Sequence, residues 1–171
     1  MQIDTQRKLL LSGFLGSCFL MLTALGYFQY YLQLEPCPLC IMQRIVVMGL
    51  GLVFLFAAIH NPESMGRRIY ASLLAVIAII GLAIAGRHVW IQNLPADQVP
   101  ECGPGLDYLL EVFPLTKALT MVFQGSGECA EVLWKFLGLT IPGWMLVVFS
   151  AYLIAALLLF LNLKVWQKNP L

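Results

Sequence analysis

Charge is scarce in this chain. Of its 171 residues only 11% are charged, 10 Lys and Arg against 9 Asp and Glu, for a formal net charge of +1. A soluble domain carries about 25%. Without a broad basic face the chain is not built to hold nucleic acid. It is also no disordered polymer, because 60% of its residues are hydrophobic and disorder needs low hydrophobicity with high charge. Cysteine is thin too: five in the whole chain do not make a disulfide-dense scaffold. Neither low-complexity segments nor internal repeats occur. So much apolar surface in so short a chain exceeds what a water-soluble core can hide.

What the chain does have is four long apolar runs, about residues 9–32, 41–60, 69–88 and 144–165. As helices each is long enough to cross about 30 Å of hydrocarbon. The reading is a single membrane domain over 1–171, an all-α bundle of four transmembrane helices. Arg7 and Lys8 precede the first run, and Ala24-Leu25-Gly26 imitates a signal-peptide cleavage site. The run continues through Tyr27, Phe28, Tyr30 and Tyr31, so an uncleaved anchor is expected.

The flanks set the orientation. Arg7, Lys8, Arg67, Arg68, Lys164 and Lys168 gather where the two termini and the 61–68 link meet, and every acidic residue except Asp4 and Glu63 falls on the opposite side. By the positive-inside rule the termini are cytoplasmic, and residues 33–40 and 91–142 form the outer loops. A short segment, Leu115 to Phe123, is amphipathic: Thr116, Lys117, Thr120 and Gln124 oppose Leu115, Ala118, Leu119 and Val122. It reads as an interfacial helix on the outer leaflet or as one packed on the bundle. Residues 128–137 read as a further short helix capped by Gly138.

This topology puts Cys37, Cys40, Cys102 and Cys129 on the outer side and leaves Cys18 inside the first span as a buried small residue. Outside a bacterial inner membrane disulfides persist. Glu35-Pro36-Cys37-Pro38-Leu39-Cys40 has the two-residue spacing of redox dithiols. Cys40 stands at the first turn of the second span, where free N–H groups favour a thiolate. Arg44 follows four residues on, one turn deeper on the same face. An arginine near the bilayer needs a partner, and a thiolate or a quinone head would serve. The alternative is a structural disulfide with Arg44 reaching to lipid phosphates.

Cys102 lies among turn formers, Pro100 to Gly105, and Cys129 follows Gly125-Ser126-Gly127, surroundings that suit a labile bond or a plain loop staple. Arg87 and His88 end the third span, with Gln92 on the face of His88. His88 reads as an interface residue or as a donor to a quinone oxygen. His60, at the inner end of the second span, reads as an interface residue.

Pro36-Cys37-Pro38-Leu39-Cys40-Ile41-Met42-Gln43-Arg44 resembles the first-loop motif of the DsbB family, disulfide bond formation protein B. Ser126 to Glu131, Trp134, Phe136 to Leu139 and Pro142-x-Trp144 resemble that family's second-loop ending, and Ala151 to Ile154 in the fourth span is similar too. The resemblance covers most of the chain. It implies a quinone-dependent protein-dithiol oxidoreductase of the bacterial inner membrane. Such an enzyme reoxidises a soluble periplasmic DsbA-type thiol oxidase and passes electrons to ubiquinone or menaquinone. It further implies that Cys37 and Cys40 are the quinone-linked pair and Cys102 and Cys129 the partner-linked pair. Arg44 then belongs to the quinone site, and His88, with Gln92 and Pro95, matches the pattern beside it. Rival readings are a paralogue serving another thiol partner, a scaffold with structural disulfides, and a protein binding zinc through its four outer cysteines. Only one cysteine pair has close zinc-type spacing, which disfavours the last.

Overall fold

A computed structural model describes residues 2–95, 97–99, 112 and 114–161. Cys102 and the turn formers around it lie outside the described residues.

Four helices long and apolar enough to cross a membrane form the bundle: Gln6–Tyr31, Pro38–His60, Ser64–Gln92 and Ile141–Leu161. The first is composite, an α-helix α1 (Gln2–Leu22) that widens into a π-helix over Thr23–Tyr31. The others are α2 (Pro38–His60), α3 (Ser64–Gln92) and α5 (Ile141–Leu161), with a short α4 at Leu115–Gln124 between the last two. Each spanning helix packs on the next, α1 on α2, α2 on α3 and α3 on α5. A polar clasp closes the ring, because Tyr152 OH of α5 lies 3.0 Å from Ser17 Oγ and donates to Gly13 O at 3.3 Å.

Local chemistry sets the helix ends. Cys37, in extended conformation, caps α2, and Pro38 follows inside the first turn, where its missing N–H costs nothing. Asn61 ends α2 with a left-handed φ of 43°. The tight 61–63 link is tied to the start of the chain: Gln6 Nε2 donates to Pro62 O at 3.2 Å and Arg67 Nη1 to Gln6 Oε1 at 3.4 Å. His60 pairs with Tyr70 across the same link, Nδ1 to OH at 3.2 Å.

The core lies between α2 and α3, with one large ring packed at each side of it. Phe54 of α2 sits over Gly13, where an added Cβ would meet its ring at 2.7 Å, and Phe149 of α5 sits over Gly81 in the same way. Small residues under rings let helices approach closely where lipid offers no hydrophobic drive to association. Outward, Leu15, Phe19, Phe56 and Ile59 are exposed. That is a surface suited to hydrocarbon, with backbone groups satisfied inside the helices.

The second loop departs from expectation in one place. Residues 128–137 are not a helix. A 3₁₀ turn covers Gly127–Cys129, and then β1 (Lys135–Phe136) pairs antiparallel with β2 (Leu139–Thr140). Leu137 and Gly138 form the turn with φ of 50° and 82°, both positive as a type I′ hairpin turn requires. Gly138 therefore serves a hairpin and not a helix cap. Aromatic packing holds this arrangement: Phe28 meets Trp134 edge to face at 5.1 Å, Trp134 stacks on Phe136, and Trp144 Nε1 donates to Phe136 O at 3.1 Å. In α4, Val122 is buried while Thr116, Lys117 and Thr120 are exposed.

Candidate redox site at the helix ends

The cysteine-x-x-cysteine turn is the N-cap of α2 itself. Cys40 N–H donates to Cys37 Sγ at 3.4 Å, and Ile41 N–H to Cys37 O at 3.1 Å. The Cys37 sulfur thereby satisfies one of the orphan N–H groups of the helix start, and its carbonyl accepts the first regular helical bond. The geometry brings the sulfurs together, Cys37 Sγ donating to Cys40 Sγ at 3.1 Å. Cys37 is buried and Cys40 half-buried.

Cys129 comes to this turn from the second loop. Its N–H donates to Ser126 O at 2.9 Å, and Ser126 Oγ lies 3.8 Å from its sulfur. Gly125 makes the approach possible. Its φ is +83°, and a Cβ there would collide with Ile91 Cδ1 and stand 3.7 Å from Leu39 Cδ1. The chain is thus pressed onto the ends of α2 and α3, and Cys129 is fully buried. Glycine does not loosen the chain at this cysteine, because Gly125 serves close packing.

A histidine completes the cluster. The ligating atoms of Cys37, His88 and Cys129 all lie within 4.8 Å of one another, with His88 Nε2 3.8 Å from Cys37 Sγ. On the far side of the ring, Gln43 Nε2 lies 3.3 Å from His88 Nδ1, both side chains being buried. In this orientation the Gln43 amide nitrogen donates to Nδ1, and a neutral ring then carries its proton on Nε2, the nitrogen nearer the Cys37 sulfur.

The buried sulfurs influence one another. A hydrogen bond from Cys129 pulls the Cys37 thiol down. The hydrogen bond to Cys40, burial and the charge of Cys40 outweigh it and push Cys37 up to about 12. The hydrogen bond to Cys37, burial and the charge of Cys37 push Cys129 up as well. Burial and the neighbouring sulfurs thus favour the protonated thiol at both positions.

Arg44 finds a partner that the sequence did not disclose. Nη1 donates to Gln29 Oε1 at 2.7 Å and Nη2 to Ala24 O at 3.3 Å. Ala24 and Gln29 are five residues apart, the hydrogen-bond spacing of a π-helix, so the widened winding stacks both acceptors on one face. Beside Gln29 and Pro36 an open cleft of about 470 Å³ runs along Leu25, Tyr30 and Gln33.

The structure separates His88 from Gln92, with which it shares a face. His88 turns to Gln43 and Cys37, while Gln92 Oε1 is buried with no hydrogen-bond partner among the described residues. Arg87 stacks over Trp90 at 4.2 Å and donates from Nε to Phe123 O at 3.4 Å. Cys18 is only half-buried in α1, because that helix turns much of its surface outward. Gln29, Gln43 and Gly125 are the site residues that sequence reasoning passed over. The signal for Gln43 was its place three residues after Cys40, on the inward face of α2. Among the described residues the donor set suited to a metal ion is Cys37, His88 and Cys129, two cysteines and a histidine in place of four cysteines.

The profile of the family described as disulfide bond formation protein DsbB matches residues 6–159. Among relatives, disulfide bond formation protein B of Nitrosococcus oceani is 58% identical over 153 residues, covering 89% of this chain and 85% of that protein. The protein of the same name from Hahella chejuensis is 56% identical over 139 residues, 79% of this chain and 84% of its own. That of Saccharophagus degradans is 49% identical over 166 residues, 97% and 95% of the two chains.

Proposed function

Because this chain belongs to the DsbB family, a family of disulfide formation, we propose that it oxidises a soluble periplasmic dithiol oxidase of the DsbA type and delivers the electrons to membrane quinone. The chain is a multi-pass membrane protein with a disulfide-forming oxidoreductase's cysteines at one end of its bundle. In our reading that end faces the periplasm of a bacterial inner membrane, and the end carrying Arg7, Lys8, Arg67 and Arg68 faces the cytoplasm.

The observation that carries this reading is the packing of Cys129 against Cys37. One loop is thereby poised to hand a disulfide to the other. The partner's thiolate attacks Cys102 of a Cys102–Cys129 bond and forms a mixed disulfide. Cys129, freed, attacks Cys37 of the Cys37–Cys40 bond, and Cys40 leaves as a thiolate. A new Cys37–Cys129 bond replaces the broken one, so electrons and sulfur bonds balance. His88 Nε2–H faces the Cys37 sulfur and stabilises negative charge there whenever Cys37 is the leaving group. Cys40 departs at a helix N-terminus, the favourable end of the dipole.

A DsbA-type oxidase lies near −120 mV, and each 30 mV is about 1.4 kcal/mol for two electrons. An ordinary dithiol cannot drain it unaided. A quinone, when bound, supplies the two-electron acceptor. The residues suit such a head group: Cys40 is half-buried, and Arg44 donates to Gln29, which lines a cleft of mixed polar and apolar walls. Arg44 holds its guanidinium one turn below Cys40, where it stabilises negative charge and donates to an oxygen.

The test is to mix purified protein with a reduced DsbA-type oxidase and a ubiquinone analogue and to follow quinone loss by absorbance. Stoichiometric loss coupled to oxidation of the partner is expected. Partner oxidation without quinone loss would overturn the electron route.

A further inference from the structure

We propose that the fully reduced protein binds one soft divalent cation of the zinc class through Cys37 Sγ, Cys129 Sγ and His88 Nε2, and that the ion holds it inactive. The inactivation rests on the function proposed above; the binding does not. Three donors of the right chemistry come from three separate elements, the cap of α2, the end of α3 and the 3₁₀ turn of the second loop. Their ligating atoms already lie within 4.8 Å of one another. With Zn–S near 2.3 Å and Zn–N near 2.0–2.1 Å, two donors on one tetrahedral ion stand about 3.5–3.8 Å apart. Cys37 Sγ and His88 Nε2 are at 3.8 Å, so closing the set around an ion takes shifts of about 1 Å or less.

Cys40 is not one of the ligands. Its sulfur, 3.1 Å from that of Cys37, is not among the donor atoms that all lie within 4.8 Å of one another. The fourth position is left to water. Binding releases the two thiol protons and moves no electrons, since His88 coordinates as a neutral ring. Metal-bound histidine needs its other nitrogen to donate. Gln43 stands at Nδ1 at 3.3 Å, and a half-turn of its amide offers Oε1 to an Nδ1–H while freeing the Nε2 lone pair. Redox state gates the site. When Cys37 or Cys129 is in a disulfide it has no thiolate to give, so the ion competes only with the reduced enzyme.

The experiment titrates the full-length, detergent-solubilised, anaerobically reduced protein with Co²⁺ as probe, followed by displacement with Zn²⁺. One equivalent should give thiolate-to-cobalt charge transfer and tetrahedral ligand-field bands. Cys129→Ser and His88→Ala should each lose the tetrahedral spectrum, while Cys40→Ser, Cys102→Ser and Cys18→Ala keep it. Gln43→Leu should weaken binding about 10- to 100-fold, as loss of a partner behind a ligating histidine does, and Gln43→Glu should retain it. Protein oxidised beforehand should show no bands. Full-strength bands in Cys129→Ser or His88→Ala would mean simple chelation by Cys37 and Cys40 and would overturn the proposal, as would wild-type protein that binds no cobalt. Quinone reduction is assayed with and without one equivalent of Zn²⁺: full turnover with zinc bound overturns the inactivation, while failure without metal sinks the functional reading and leaves the cobalt result standing.

Discussion

Cys37 and Cys129 are neighbours held by unlike means. Cys37 is fixed by the start of a membrane helix: its backbone and sulfur accept the first N–H groups of α2, and Pro38 sets the first turn. Cys129 has no such scaffold. It rests on a left-handed glycine, a 3₁₀ turn and the ends of two helices remote in sequence. The helix-borne cysteine keeps its place through local bonds. The loop-borne one keeps it through packing, which can be released without unfolding a span. Regions that open in function come from the less stable end of a structure, as the proposed transfer between a soluble partner and a membrane site requires of Cys129.

The sharpest way to break this comparison is to remove the loop sulfur. Cys129→Ser should abolish turnover and trap the partner on Cys102, seen as a mixed disulfide on a non-reducing gel; attachment through Cys37 would redirect the route. Cys102→Ser should abolish partner attack while leaving Cys37–Cys40 oxidisable by quinone.

Next in size is thiol reactivity in the reduced protein. Cys37 is raised from 9.0 to about 12, which leaves on the order of a thousandfold less thiolate near neutral pH than an ordinary thiol has. Site-resolved alkylation should therefore modify Cys37 slowly despite its place in a cysteine-x-x-cysteine turn. The stability that goes with this raised value is fully present below pH 9 and is lost as pH rises from there toward 12. Denaturant titrations across that window read it. Fast alkylation of Cys37 near neutral pH would show that the sulfurs are not packed as described.

Arg44→Met tests the helix side. Losing a charge-assisted hydrogen bond of about 1.5–3 kcal/mol should slow quinone reduction roughly 10- to 150-fold with partner exchange at Cys102 little changed. Steady-state kinetics at varied quinone and partner separate the two. Normal quinone kinetics with weakened partner turnover would reverse the assignment.

Smaller still is Gly125→Ala, which strains a positive φ and drives a Cβ into Ile91. A cost of about 1–2 kcal/mol should slow transfer from Cys129 to Cys37 roughly 5- to 30-fold in rapid-mixing experiments. Gly138→Ala carries a similar φ of +82° with nothing within 4 Å, and should leave that rate alone. Cys18→Ala should change nothing; a loss like that of a loop cysteine would put a fifth sulfur in the route.

These differences match what was legible in the sequence. Composition and run length revealed the four spans, because a bilayer imposes a length that soluble packing does not. The first-loop dithiol was legible for the same local reason, with cap, proline and cysteines all within four residues, 37–40. The partners of Arg44 were not, since they depend on a π-helical winding that hydrophobic pattern does not mark. His88 was visible as a boundary residue but not as a neighbour of sulfur, because only folding brings 37, 88 and 129 together. The hairpin was misread as a helix because its turn uses Leu137-Gly138, where Asn-Gly would have announced it.

The aromatic clasp at Trp134 also limits reach. Five residue steps separate that ring, lodged against Phe28 of the first span, from Cys129. At 3.3–3.6 Å per extended residue the sulfur-bearing backbone travels no farther than about 17 Å from the clasp. Cys129 is thus a weight on a short leash. Whatever exchanges sulfur with it, whether Cys102 or a docked partner, has to come inside that circle, and lengthening the leash by a few residues would trade speed of return for radius.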